Sequence, residues 1–257
     1  MLTVQEFKEK YQLNHKLGLI DEESKLIMLW TPRAACTTAC IMMFKHMGLL
    51  EDALKYYGNK CIQLSNGWVH KYRDEIFYKK YGIVNINDHL LSKKYFIFKV
   101  IRNPYDRAVS SYFTIRSKEK LKKISFEEFL KNIKINSGIF IDDNEIDIHI
   151  TLHSCPQYVK DEEKYINKYV RLESQKKDID EINKLCNVTL DLSIDENLTP
   201  YYNKHSETSN KGYLGNVRFD ELPKITSHKC FYNELTKKLV EEIYSDDIIN
   251  YKYKFYQ

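Results

Sequence analysis

Lys25–Trp30 (KLIMLW) is a short apolar run that stops abruptly at Thr31-Pro32, the pattern of a strand buried on both faces. Tyr95–Ile101 (YFIFKVI) repeats it, and Asn167–Leu172 (NKYVRL) is a weaker third. Helical patterning follows each run. After the first, Thr37 or Thr38 can cap a helix through Ala39–Phe44 toward Leu50. After the second, Asn103 is a good N-cap and Pro104 fits the first helical position, predicting a helix toward Arg116. After the third comes a mixed-charge helix near Lys177–Cys186. Ser125-Phe126-Glu127-Glu128 has capping-box spacing, and Leu235, Leu239 and Ile243, with Val240, form the stripe of a C-terminal helix. Strands alternating with helices predict an α/β fold, a central parallel sheet flanked by helices. Ligands of such sheets sit at the carboxyl ends of the strands. Two of those ends, Thr31–Thr38 and Arg102–Ser110, are the most chemically loaded stretches of the chain.

The chain has 257 residues, long enough to bury a real core, and only 8 glycines and 5 prolines from which to build linkers. With no internal repeat or low-complexity tract, it reads as one domain over 1–257, its motifs lying in 25–257. A net charge of +4 suits an anionic ligand but is no footprint of a nucleic-acid binder, because lysines and acids are interspersed. The many aromatics (20 Tyr, 12 Phe) read first as core and surface material, ahead of a saccharide-stacking platform. Residues 1–20 carry no apolar signal region. The most apolar stretch, Leu26–Leu50, is broken by Pro32, Arg33, Lys45 and His46, so no membrane insertion is expected. The six cysteines form no C-x-x-C pair, and no second Cys/His pair completes a zinc site with Cys36 and Cys40. Reduced thiols, a cytoplasmic setting and no metal are the expectation.

Thr31-Pro32-Arg33-Ala34-Ala35-Cys36-Thr37-Thr38 joins a strand to a helix with small residues. Small side chains let backbone N–H groups reach an anion, and the helix N-terminus adds partial positive charge. Thr37 and Thr38 bring hydroxyls and Arg33 a fixed cation. The G-x-x-x-x-G-K-[ST] pattern of a nucleotide-binding loop is missing, and taken alone the segment reads equally as a tight turn. In the second segment, Arg102 leaves a strand end and Ser110 lies two turns into the next helix. Arg and Ser suit a phosphate monoester. Arg107 reads as structural, able to pair with Asp106.

Together the segments resemble the cofactor-binding pair of sulfotransferases that use 3′-phosphoadenosine 5′-phosphosulfate (PAPS). The first is similar to their 5′-phosphosulfate loop, P-K-x-x-(S/C)-T-(S/T). The second matches their 3′-phosphate motif, R-(D/N)-P-x-x-R-x-x-S-x-Y, from Arg102 to Tyr112. The resemblance is nearest to carbohydrate sulfotransferases of the heparan sulfate 2-O and HNK-1/chondroitin type. His153-Ser154-Cys155-Pro156-Gln157 is similar to their H-x-x-P-Q segment. Tyr169–Glu173 resembles their strand ending in F-E, Leu239–Phe255, with Ile243–Asp247 and a closing Tyr253, their terminal Y-x-x-D-(F/I) tail, and Asn203–Ser206 an N-x-S loop with one extra residue.

The resemblance implies a P-loop-like fold related to nucleotide kinases and transfer of a sulfuryl group from PAPS to a hydroxyl, expected on a saccharide, without a metal. It puts Arg33, Ala34, Ala35, Cys36, Thr37 and Thr38 on the 5′-phosphosulfate, and Arg102 and Ser110 on the 3′-phosphate. The family's Lys after the loop proline is Arg33 here. Arg can stabilise charge on the leaving phosphate but gives up a proton less readily. A general base is expected among His70, His89, His149 and His153, with His70 first because it lies between the two motifs and His153 second. The rival readings are a nucleotide-dependent kinase of related fold and a non-catalytic PAPS- or glycan-binding protein.

Overall fold

A computed structural model describes residues 6, 18–56, 67–82, 94–193, 212–223 and 227–255. The chain forms two compact units, one from Met1–Tyr11, Arg102–Lys160 and His205–Gln257, the other from Gln12–Ile101 and Asp161–Lys204.

The second unit holds a four-stranded sheet in the order β1 (Gly18–Asp21), β2 (Leu26–Trp30), β3 (Phe96–Ile101), β6 (Lys168–Arg171). β2, β3 and β6 are the three apolar runs and pair in parallel, Met28 opposite Phe98 and Val100 opposite Val170. β1 was not anticipated. It pairs antiparallel with β2 through the tight turn that follows Asp21, so the sheet is mixed. Because both faces are covered, β1 and β2 are buried at every position and show no alternation.

One face presents Met28, Trp30, Phe98, Val100 and Val170 to a core shared with helices α1 (Cys36–His46), α2 (Gly67–Tyr72) and α6 (Gln175–Cys186). Met43 and Phe44 of α1 are fully buried, each worth about 1.5–3 kcal/mol of transfer free energy. α2 runs on through a π-helical segment, Arg73–Phe77, into Tyr78–Tyr81. The other face holds Ile20, Ile27, Leu29, Ile97 and Ile166. It also buries a charge pair, Lys99 to Glu162 at 2.5 Å, with both side chains at most 5% exposed.

The first unit is helical. α3 (Pro104–Tyr112) starts as expected: the Asn103 side chain accepts the Tyr105 N–H at 3.0 Å and Pro104 occupies the first turn. It ends at Tyr112, and a 3-10 turn over Phe113–Ser117 continues toward Arg116. α4 (Phe126–Ile135) carries the capping box of Ser125 and Glu128. A short hairpin, β4 (Ile141–Asp142) and β5 (Glu145–Ile146), leads into α5 (Ile148–Ser154). α7 (Glu234–Ile243) buries Leu239 and Val240 of its stripe, while Leu235 stays exposed. α8 (Ser245–Tyr251) follows it. The aromatic residues of this unit, Tyr105, Tyr112, Phe126, Phe129, Phe140, Phe231 and Tyr244 among them, form its core.

Candidate active site

The strand β2 ends at Trp30 and the chain turns at once, Ala34 N–H donating to Thr31 O at 3.1 Å. Arg33 (φ 70°) and Ala35 (φ 56°) both take left-handed backbone conformations, which cost a non-glycine residue on the order of 1–2 kcal/mol. Ala35 is the N-cap of α1, and no side chain caps that end. The sequence pointed to Thr37 or Thr38 as the cap. The left-handed turn starts the helix earlier, at Cys36, and puts both threonines inside its first turn. The leading N–H groups of a helix have no partners within it, so this end offers donors to an anion.

His70, from α2, lies against that turn. Its Nε2 is 3.1 Å from Thr37 Oγ1 and 3.8 Å from Cys36 Sγ. Its Nδ1 is 3.1 Å from Arg73 Nη1, one turn further along. Arg73 is locked in turn, its Nε and Nη2 donating to Asp74 at 2.7 and 3.0 Å and its guanidinium lying over the Trp30 and Tyr78 rings. Burial pushes the Cys36 thiol up. Its hydrogen bond with His70 and the positive charge around it, Arg33 and Arg73 included, outweigh that and bring it to about 7. For His70, burial acts downward, and an anionic Cys36 or Cys40 beside it would push the other way, to about 10. A guanidinium only donates, so Nδ1 is the ring nitrogen placed to accept from Arg73.

The second segment lies in the first unit. Arg102 is held through its backbone: its N–H donates to Gln157 Oε1 at 3.0 Å, and Gln157 Nε2 donates to its carbonyl at 2.8 Å. Asp247, fully buried, fixes Gln157 and its neighbour by accepting the backbone N–H groups of Gln157 (2.9 Å) and Tyr158 (2.6 Å). Ser110 is buried on α3. Arg107 is fully buried and donates to the carbonyls of Cys155 and His153 at 2.7 and 3.3 Å. It does not pair with Asp106 as the sequence suggested; Asp106 meets His228 at 2.9 Å instead. His153 anchors this unit through its carbonyl, and its ring lies 4.5 Å from that of His149, tilted by 48°, while Nδ1 bonds the His149 carbonyl.

The structure therefore brings His70 onto the Thr31–Thr38 turn and places Arg102, Ser110 and His153 in the other unit. His89 and Asn203–Ser206 lie outside the described residues. Sequence reasoning missed Arg73, although its three-residue spacing from His70 puts both on one helix face, and it missed the Gln157–Asp247 clamp. Cys36, Cys40, Cys155, Cys186 and Cys230 are free thiols. Among the described residues no helix is long and apolar enough to cross a membrane.

The family model described as "Sulfotransferase family" matches residues 18–254. The chain belongs to the sulfotransferase family. Neither the curated proteins nor the solved structures contain a match to this sulfotransferase.

Proposed function

We propose that this sulfotransferase uses PAPS as its sulfuryl donor and a saccharide hydroxyl as its acceptor. The observation that supports this most is the Thr31–Thr38 turn: two left-handed residues deliver a helix end that no side chain caps, with Thr37, Cys36 and His70 gathered on it. The donor set fits an anionic ester. Arg33, the backbone of Ala34, Ala35 and Cys36, and the hydroxyls of Thr37 and Thr38 would hold the 5′-phosphosulfate. Arg102 and Ser110 would hold the 3′-phosphate, with the Gln157 clamp orienting the Arg102 backbone. Bound there, PAPS would supply the activated sulfuryl group. The chain's own contribution is positioning and electrostatic, as in phosphoryl transfer. His70 is the group we place beside the transferring centre. The saccharide acceptor rests on the resemblance to carbohydrate sulfotransferases.

Thermal unfolding with 3′-phosphoadenosine 5′-phosphate (PAP), AMP, ADP and ATP as separate additives tests the cofactor. A specific ligand at about 100 times its Kd stabilises by about 2.7 kcal/mol. Stabilisation by PAP with little by AMP or ATP is expected, because PAP differs from AMP only in the 3′-phosphate. Stabilisation by ATP alone would favour the kinase reading. Arg102→Ala and Ser110→Ala should each weaken PAP binding about tenfold or more by calorimetry, the loss of one charge-assisted contact; unchanged affinity in both would remove the 3′-phosphate assignment. Arg33 favours one second reading, a PAPS-binding protein with little turnover. A large gain in turnover in Arg33→Lys would support it.

A further inference from the structure

We propose that Arg73 is a positioning residue that fixes His70 with its hydrogen on Nε2, making His70 a hydrogen-bond donor to the anion held at the Thr31–Thr38 turn and not a base. The donor role rests on the cofactor reading above; the positioning by Arg73 does not.

Arg73 has no freedom to turn away. Two of its nitrogens form a bidentate pair with Asp74, and its Cζ lies 5.5 Å from the Trp30 ring centroid and 5.7 Å from that of Tyr78. The third nitrogen, Nη1, faces His70 Nδ1 at 3.1 Å. All five guanidinium hydrogens are donors, and the group stays protonated in proteins. Nδ1 must then accept, and a neutral imidazole with an accepting Nδ1 carries its hydrogen on Nε2. That N–H points at the first turn of α1, 3.1 Å from Thr37 Oγ1 and 3.8 Å from Cys36 Sγ. Among the described residues, the ionisable groups facing the ring are Cys36 and Cys40 of α1 and Arg73 of its own helix. A base at Nε2 would need the opposite tautomer, with two hydrogens meeting between Nδ1 and Nη1. A fixed N–H donor aimed where anionic oxygens would sit needs no reorganisation, and losing one such donor typically costs about 100- to 1,000-fold in turnover.

Nitrogen-15 NMR of histidine-labelled protein at neutral pH, without ligand, reads the tautomer directly. The expected spectrum has His70 Nε2 protonated and Nδ1 bare. An Nδ1–H ring, or a ring protonated on both nitrogens, would overturn the proposal. Arg73→Lys keeps a donor toward Nδ1 and should keep the tautomer, whereas Arg73→Met should give a mixture of both; an unchanged single tautomer in Arg73→Met would remove Arg73 as its cause. Should Arg73→Met fail to fold, the wild-type and Arg73→Lys spectra still decide. In turnover, His70→Gln, which supplies an amide N–H but no base, should stay within about tenfold of wild type while His70→Ala loses about 100-fold or more. Equal losses in the two variants would restore the base role. A protein that shows the Nε2–H ring but is not stabilised by PAP overturns the cofactor reading and the donor role with it, leaving Arg73's hold on the ring. A PAP-stabilised protein with an Nδ1–H ring does the reverse.

Discussion

Asp247→Asn is the substitution whose cost can be worked most directly from the structure. The Asp247 side chain is fully buried, with one oxygen on the Gln157 N–H and the other on the Tyr158 N–H. Asparagine keeps the shape but only one accepting oxygen, so its NH2 group confronts one of those two backbone N–H groups. One bond to a charged acceptor is lost and a buried donor goes unsatisfied, worth about 1.5–3 kcal/mol. At roughly 2–4 °C per kcal/mol for a chain of this size, the midpoint of thermal unfolding should fall by about 3–12 °C. The effect should also reach Arg102, because Gln157 grips that backbone through both its N–H and its carbonyl. On the PAPS reading proposed above, affinity for PAP should drop about tenfold, equal to about 1.4 kcal/mol. The assay pairs calorimetric unfolding with PAP titration of the still-folded variant at low temperature. A midpoint within about 1 °C of wild type, against the margin of 1.5 kcal/mol expected, would refute the clamp.

Cys36 should react with iodoacetamide at a rate that rises with pH through about 7, since its thiolate is the nucleophile and its thiol is lowered. His70→Ala removes the hydrogen bond that lowers it, so the midpoint of the pH–rate curve should move up; a curve that does not move would separate the two residues. Glu162→Leu leaves Lys99 in a buried position without its carboxylate and should destabilise by about 3–5 kcal/mol, while Lys99→Met/Glu162→Leu should recover most of the loss. Urea unfolding of both variants checks this, and a double variant no better than the single would mean that the pair is not what holds this face.

The parallel strands were legible because β2 and β3 put runs of apolar residues between turn residues, while β6 offered only Tyr169 and Val170 between charged neighbours. The starts of α3 and α4 were legible because Asn103-Pro104 and Ser125–Glu128 state their caps locally. What failed was information held elsewhere in the chain. β1 has four residues and is buried on both faces, so its identity as a strand comes from pairing with β2. The start of α1 depends on a left-handed alanine, a residue type that carries no sign of that conformation. Gln157 and Asp247 lie 90 positions apart and meet only after folding. At the site, His70 was singled out from its place between the motifs, yet its protonation is set by Arg73, whose role becomes visible only with both partners of the ring in place.

The π-helical segment Arg73–Phe77 also carries a consequence for variation in length. A π turn holds one more residue than an α turn, and each residue of an α-helix advances the face by about 100°. Deleting Glu75 would turn this segment into a regular α-helical turn while its two halves keep nearly the same rotation, because the wide turn already absorbs the extra residue. His70 could then stay on the α1 turn and Phe77 in its core. A one-residue gap here should be tolerated far better than a gap in the regular helix before it, which would rotate one of the two away from its place.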